Sequence, residues 1–364
     1  MSMGALVGHR AVFRAMSGAG RRVPAAGREQ SCFARLNRGH VAAVPSLPPT
    51  AVPPASAAGD ATVGSALLRA WTWPLPGAGR TRERWAALAA LAEQDLVVAR
   101  LAEAHADALA ILVELGVEPG PAGSRWGVWA AEIPGHELTF DPVLGVVAGV
   151  KAWCSGATLL TDALVTAAGG QLLAVRLEQP AVVADDDTWA WPGMRAADTR
   201  TVRFTAANAT PVGRPGQYLS RPGFWIGGIG VAACWYGGAV ALANPLRARM
   251  ARSEDPHAAA HLGAVDVVLG GARDVLHGAA DVVDQSPDGD HARLARRVRA
   301  TVAQAATEVA LRVGRALGPG PYATDPLHAQ RVADLEVYVR QDHAERDLAA
   351  LGRDVAAGAA GWSL

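Results

Sequence analysis

Gly149–Ala157 reads GVKAWCSGA. On a strand, side chains two apart leave by the same face, so Trp153 and Ser155 project together. Such an indole can lie flat against an aromatic ring while the hydroxyl hydrogen-bonds a heteroatom of that ring. The same pair is also ordinary core and sheet edge, so the surrounding sequence has to decide.

From Gly123 to Val212 short apolar runs alternate with Gly, Pro and Asp clusters. Trp126–Ala131, Leu164–Thr166, Leu172–Leu177, Ala181–Val183 and Val202–Thr205 are expected strands. With no long helix between them, they predict an antiparallel β-domain rather than alternating βαβ units. On the N-terminal side Ser65–Trp73 reads as a short helix stopped by Pro74 and Pro76. Thr81 then offers an N-cap. Arg82–Leu115 repeats leucine at helical spacing (Leu88, Leu91, Leu96, Leu101, Leu109, Leu112), as one helix or two, until Gly116. Glu93, Asp95, Glu103 and Asp107 fall on its other, polar face. On the C-terminal side Phe224–Leu246 holds no charged residue over a length that could span a membrane. Its glycines and other small residues instead suit the buried central helix of a bundle. Asp255–Asp284 and His291–Leu317 continue the helices, and Asp325–Val355 reads as one last amphipathic helix.

The 34 basic and 34 acidic side chains balance, so no field of one sign marks nucleic acid or an anionic membrane as a partner. Cys32, Cys154 and Cys234 are too few and too widely spaced for a disulfide framework or a metal knuckle, which fits a reducing cytoplasm. Residues 1–60 are rich in Ala, Arg, Gly and Pro and have no hydrophobic period. They predict a disordered or mis-started extension over residues 1–64 rather than a transit peptide. His257 and His261 lack a third metal ligand, and no GxSxG elbow surrounds Ser155. The glycine clusters Gly227–Gly230 and Gly318–Gly320 lack the strand–turn–helix setting of a dinucleotide fingerprint. Metal, hydrolase and Rossmann-type nicotinamide sites are not expected.

In order and spacing, several segments over about residues 85–352 resemble the acyl-CoA dehydrogenase family. That family's flavin-side strand reads Lys-x-Trp-Ile-Ser/Thr-Asn/Gly, matched here by Lys151, Trp153, Ser155 and Gly156. Ala131-Glu132-Ile133-Pro134-Gly135 is similar to its Thr-Glu-Pro turn. Asp95, Arg100 and His105 stand where its preceding helix has Asp-Leu-x-x-Ala-Arg-x-x-x-x-His. Pro192-Gly193-Met194-Arg195 and Thr199–Phe204 resemble the Gly-x-Arg and the strand ahead of its C-terminal bundle. Leu317-Gly318-Pro319-Gly320-Pro321-Tyr322 lies at its Gly-Gly-x-Gly-Tyr, and Arg331 and Asp334 at its Arg-x-x-Arg-Asp.

The resemblance implies an α+β fold: a shortened N-terminal helical part (65–122), a central antiparallel β-domain (123–212) and a C-terminal four-helix bundle (213–364). It implies FAD held by Ala131, Trp153, Ser155, Gly318 and Gly320, with Trp153 on the isoalloxazine and Ser155 near N5. The reaction implied is α,β-dehydrogenation of a small acyl substrate such as an acyl-CoA thioester, in a homo-oligomer formed through the C-terminal helices.

Two departures bear on mechanism. The family's Tyr-Glu-Gly base is missing, and the run Tyr338–Asp347 puts Asp342 or His343 near its place, with Glu336 and Glu254 as lesser carboxylates. The same run also reads as an exposed, charge-paired helix face. The Arg-x-x-Phe-Gly segment that reaches a neighbouring subunit's FAD is replaced by Arg252-Ser253-Glu254-Asp255-Pro256. Two further readings therefore stay open. One is a flavin-dependent monooxygenase of this fold, which uses histidine near the flavin; the other is a non-catalytic scaffold that has lost FAD.

Overall fold

The computed structural model describes residues 57–186 and 188–358. The expected extension lies outside them except at its end, where helix α1 (Ala57–Ala70) already begins. Helices α2 (Thr81–Gln94) and α3 (Leu96–Glu114) divide the leucine-rich stretch at Asp95. The Asp95 carboxylate accepts from the Val97 and Val98 N–H groups, which starts a new helix. Thr81 is not the cap of α2 but its first residue, and its hydroxyl donates to Asp284 at 2.6 Å. That carboxylate, from a distant helix, also accepts from the Thr81 and Gly79 N–H groups. It thus covers the amide end of α2, where negative charge is favoured.

The strands form two sheets. One has the order β1 (Trp126–Trp129), β4 (Asp162–Ala167), β5 (Gln171–Arg176), β8 (Thr210–Val212). The other has the order β2 (Leu138–Asp141), β3 (Val146–Cys154), β7 (Arg200–Asn208), β6 (Val182–Ala184). The expected antiparallel domain has one parallel pair, β1 with β4. Between those two strands the chain crosses to the other sheet for the β2–β3 hairpin. β8 was not expected, because Pro211 breaks its pattern; the strand lies at a sheet edge, where proline is tolerated. Lys151, the sole lysine, joins the sheets from within. It is 2% exposed, its ammonium donates to the Thr166 carbonyl and hydroxyl at 3.1 and 2.7 Å, and burial lowers its pKa.

After a short α4 (Gln217–Ser220), the uncharged stretch forms α5 (Gly223–Met250). Around it stand α2, α6 (Pro256–Gln285), α7 (Ala292–Leu317) and α9 (Pro326–Tyr338), with α8 (Gly320–Thr324) linking the last two. Among the described residues α5 alone is long and apolar enough to cross a membrane, and 72% of its apolar window is buried in the bundle. Its small residues allow this. A Cβ on Gly237 would lie 2.1 Å from the Ala89 carbonyl oxygen of α2.

The single helix expected over Asp325–Val355 is broken. α9 ends in a 3-10 turn, Val339–Gln341, and α10 (Glu345–Ala356) restarts after Ala344, which has φ 41°. No proline or glycine marks this break. Arg299 of α7 holds it by donating to the Gln341 carbonyl at 2.6 Å and to the Gly228 carbonyl at 2.7 Å.

Helix α3 is the joint between these parts. Ala108, Ile111 and Leu112 pack with Trp126, Leu164 and Leu172 of the first sheet, while Leu101 and Val98 belong to the core shared with the bundle. His105 lies at the centre of this joint, fully buried, and its Nδ1 accepts from the Trp126 N–H at 3.1 Å. That bond needs a neutral ring, and burial pushes the His105 pKa down from 6.5 to about 4. The unfolded chain takes up this proton below about pH 6.5 and the folded chain only near 4. The contribution of His105 is therefore full above pH 6.5 and is lost as the pH falls to about 4. The stability difference between the native protein and His105→Gln, measured by urea titration, is expected to shrink by about 3 kcal/mol across that window.

Candidate functional site

Between α3, the ends of β1 and β3, α5 and the close of α9 lies a cleft of about 640 Å³, a size typical of cofactor and small-ligand sites. Trp129, Trp153, Trp189, Tyr218, Phe224 and Tyr338 give it aromatic walls. Arg100, Glu103, Asp107, Arg340 and His343 give it charge.

Trp153 arrives there through a break in alternation. β3 slips register against β7 between Lys151 and Cys154, and Trp153 takes φ 59°. A bulky residue in the left-handed region is held there by its surroundings, at a cost. The result is an indole 63% exposed on the cleft wall rather than packed into the sheet. Ser155 stands one residue past the end of β3. Its hydroxyl lies 3.0 Å from Thr199 Oγ1, and its carbonyl accepts from Trp129 Nε1 at 3.0 Å. The two residues share the cleft, but a bulge unites them instead of the expected common sheet face. Ala131 lines it too, from the loop after β1.

His343 lines the cleft from the turn before α10, with Nδ1 3.5 Å from Asp347 Oδ2. Asp342 is not among the lining residues. Its carboxyl faces Arg299, and burial raises its pKa against that charge. Gly318 and Gly320 are also outside the lining. Gly318 has φ 68° and donates its N–H to the Gly314 carbonyl. It therefore terminates α7, which accounts for a glycine there. Glu254 and Glu336 are exposed elsewhere. Among the described residues no three His, Cys, Asp or Glu side chains are placed to hold a metal ion.

Glu103 and Asp107, expected on a solvated face, are turned inward. Glu103 is 6% exposed. Burial raises its pKa to about 7, opposed by Arg100 and reinforced by Asp107. Asp107 is also raised, by burial first, with Arg221 opposing. A signal was available in the spacing: Arg100, Glu103 and Asp107 form one stripe on a helix whose other positions are almost all apolar. Such a helix is enclosed, so its charges point into whatever space the enclosure leaves.

No family model matches the sequence, and no curated protein does. Solved structures do match. Butyryl-CoA dehydrogenase from Megasphaera elsdenii aligns with a TM-score of 0.66 at 15% identity, covering 81% of this chain and 88% of that one. The chain has the acyl-CoA dehydrogenase fold. Others share it. KijD3, in complex with FMN and dTDP-3-amino-2,3,6-trideoxy-4-keto-3-methyl-D-glucose, aligns with a TM-score of 0.69 at 18% identity over 83% of this chain and 86% of that one. Methanesulfinate monooxygenase MsuC from Pseudomonas fluorescens aligns at 0.66 and 19% identity, over 81% and 88%.

Within this acyl-CoA dehydrogenase fold, the wall carrying Trp189 and Met194 is clamped to α9. Asp334 accepts from the Met194 N–H at 2.5 Å and from Gln330 Nε2 at 2.8 Å. A Cβ on Gly193 would lie 2.0 Å from the Ala333 carbonyl oxygen. Gly193→Ala is therefore expected to lower stability by roughly 1–3 kcal/mol, read from the urea midpoint, because backbone rather than a flexible side chain must move.

Proposed function

We propose that the chain is a flavin-dependent oxidoreductase that oxygenates a small substrate, with the flavin seated against Trp153. One observation carries the reading: Trp153 and Ser155 from the end of β3, and His343 from nearly 200 residues later, line one cleft of about 640 Å³ with a charged inner wall. The residues present fit an isoalloxazine. A broad indole face is presented to the cleft, and the Ser155 hydroxyl keeps hydrogen-bonding capacity beyond Thr199.

Reduced flavin supplies the two electrons needed to activate molecular oxygen. Trp153 would hold the flavin by its ring face, and the Ser155 hydroxyl would hydrogen-bond a ring heteroatom. His343, with Asp347 beside Nδ1, is set to hold a proton there and to accept or return one at Nε2.

α,β-Dehydrogenation of an acyl thioester is the neighbouring reading on the same fold. It would lay an acyl chain against Arg100, Glu103 and Asp107, where apolar surface gains little and charged groups lose solvation. Of its two expected proton acceptors, His343 lines the cleft and the carboxylate, Asp342, does not. These features favour oxygenation. So does the likeness to MsuC, whose name is that of a monooxygenase. The FMN in the KijD3 complex favours FMN over FAD. The Arg252–Pro256 segment agrees: Asp255 is engaged in capping α6 and pairing with Arg249 at 3.1 Å. A scaffold that had lost its flavin would have no use for a strained tryptophan on an open cleft. A cytoplasmic homo-oligomer completes the reading.

Titration of the purified protein with FMN and with FAD, followed by absorbance, tests it. Flavin bands should shift on binding, and Trp153→Ala should raise the Kd at least about tenfold. His343→Ala should bind flavin within about twofold of native while oxygenation slows about a hundredfold. A spectrum that neither flavin changes would sink the proposal, and anaerobic bleaching by an acyl-CoA thioester would return the chain to dehydrogenation.

A further inference from the structure

Two cations on the wall of the cleft hold donors that meet no acceptor. Arg100 of α3 lines the cleft, and its side chain is 14% exposed. Its Nε is closed to solvent and makes no hydrogen bond. Its one bond runs from Nη1 to Glu103 at 3.4 Å, far longer than the roughly 2.7–2.9 Å of a charge-assisted pair. Arg221, which faces Asp107 at 3.7 Å, shows the contrast: it closes on Glu114 at 2.6 Å. Arg100 also lies 5.9 Å from the ring centroid of Tyr338. Two residues on from that ring, Arg340 lines the same cleft, exposed and without a hydrogen bond or ion pair among the described residues. Leaving a buried donor unmet is costly, and a ligand that brings the acceptor completes such a site.

We infer that Arg100 and Arg340 form a subsite for an oxyanion, and that the substrate oxygenated in this cleft carries one carboxylate or sulfonate on an aromatic or apolar body. The inference rests on the flavin reading and adds the substrate class to it. The planar fork of a guanidinium suits two oxygens of one anionic group. Trp129, Trp189 and Phe224 on the same cleft offer ring faces to the body of the molecule. The phosphate of FMN is another source of an oxyanion. A dianion there would sit beside Glu103 and Asp107, where a monoanion meets less repulsion, so the substrate is the better source.

Glu103 decides when this subsite is open. It is faced by Arg100 and Asp107 of α3, Arg84 of α2 and Arg299 of α7, with Tyr338 of α9 and Cys234 of α5 kept neutral by burial. Burial, with Asp107, raises its pKa to about 7 against the pull of the three arginines. Below that pH Glu103 is an uncharged carboxyl that can donate to the anion, and Arg100 is released from it. Above it, the carboxylate repels the anion and competes for Arg100. Anion affinity therefore falls as the pH rises through about 7.

Three matched probes test this: phenylacetate, its neutral amide and 2-phenylethylamine. Each is titrated calorimetrically into FMN-loaded and flavin-free protein at about pH 6 and about pH 8. At the lower pH phenylacetate is expected to bind at least about tenfold more tightly than the amide, and the amine most weakly. At the higher pH that preference should shrink at least about threefold in the native protein and persist in Glu103→Gln. Arg100→Gln should cut the preference to about twofold, and Arg100→Lys should restore part of it. Arg340→Gln, an exposed change, should weaken phenylacetate about threefold and leave the amide alone. A tighter amine, a preference that survives Arg100→Gln, or no binding of any probe overturns the inference. So does an Arg100→Gln protein that loses affinity for FMN but not for riboflavin, since the oxyanion is then the flavin's phosphate. If neither flavin binds, the flavin reading falls, and the probe series on the flavin-free protein still decides the subsite.

Discussion

The approach of α2 to α5 sets the geometry of everything else. With no Cβ at Gly237, the backbone of α5 comes against the Ala89 carbonyl, and Gly238 lets Leu96 and Leu335 close in from α3 and α9. A helix wrapped this closely has no room for charged side chains along its middle, which is why Phe224–Leu246 lacks them. Because α5 occupies the centre, α3 is pressed between the bundle and the first sheet. The cleft lies where α3, α5 and the end of α9 meet the ends of β1 and β3.

Charge in that volume is not explained by stability. Buried ion pairs return little beyond what desolvation costs, and replacing them with apolar residues is often neutral or favourable. Arg84, Arg100, Glu103, Asp107, Arg221 and Arg299 nevertheless cluster within or behind one wall. Only some of them are needed to hold the chain together: Arg299 ties α7 to α5 and to the turn before His343, and Arg221 ties the start of α5 to Glu114. The carboxylates of Glu103 and Asp107 make only long contacts, at 3.4 Å to Arg100 and 3.7 Å to Arg221.

Much of this architecture could be read from the residues. The leucine spacing of α2 and α3, the uncharged run of α5 and the turn-separated strands all follow from local chemistry, and the order of short motifs pointed to the fold that the solved structures bear out. What could not be read depends on partners remote in sequence. The cap of α2 comes from Asp284, some 200 residues away, so Thr81 passed for the cap. The break before α10 is stabilised by Arg299, and nothing local announces it. Gly318 looked like a flavin-side glycine because the turn that ends a helix and a loop that approaches a cofactor call for the same residue. The site shows the same limit. Trp153 and Ser155 were recognised by type, but the bulge that brings them to one wall is a matter of register between β3 and β7, set by residues 200–208.

Lys151 has a practical side. The chain's single ε-amine is sealed between two sheets, hydrogen-bonded to Thr166, and its proton is the easier to lose for being buried. Reagents that acylate or cross-link lysines therefore find no side chain to attack on the folded surface, whereas an opened β-domain offers one at once. Acylation of this one residue is a built-in reporter of whether the two sheets are together.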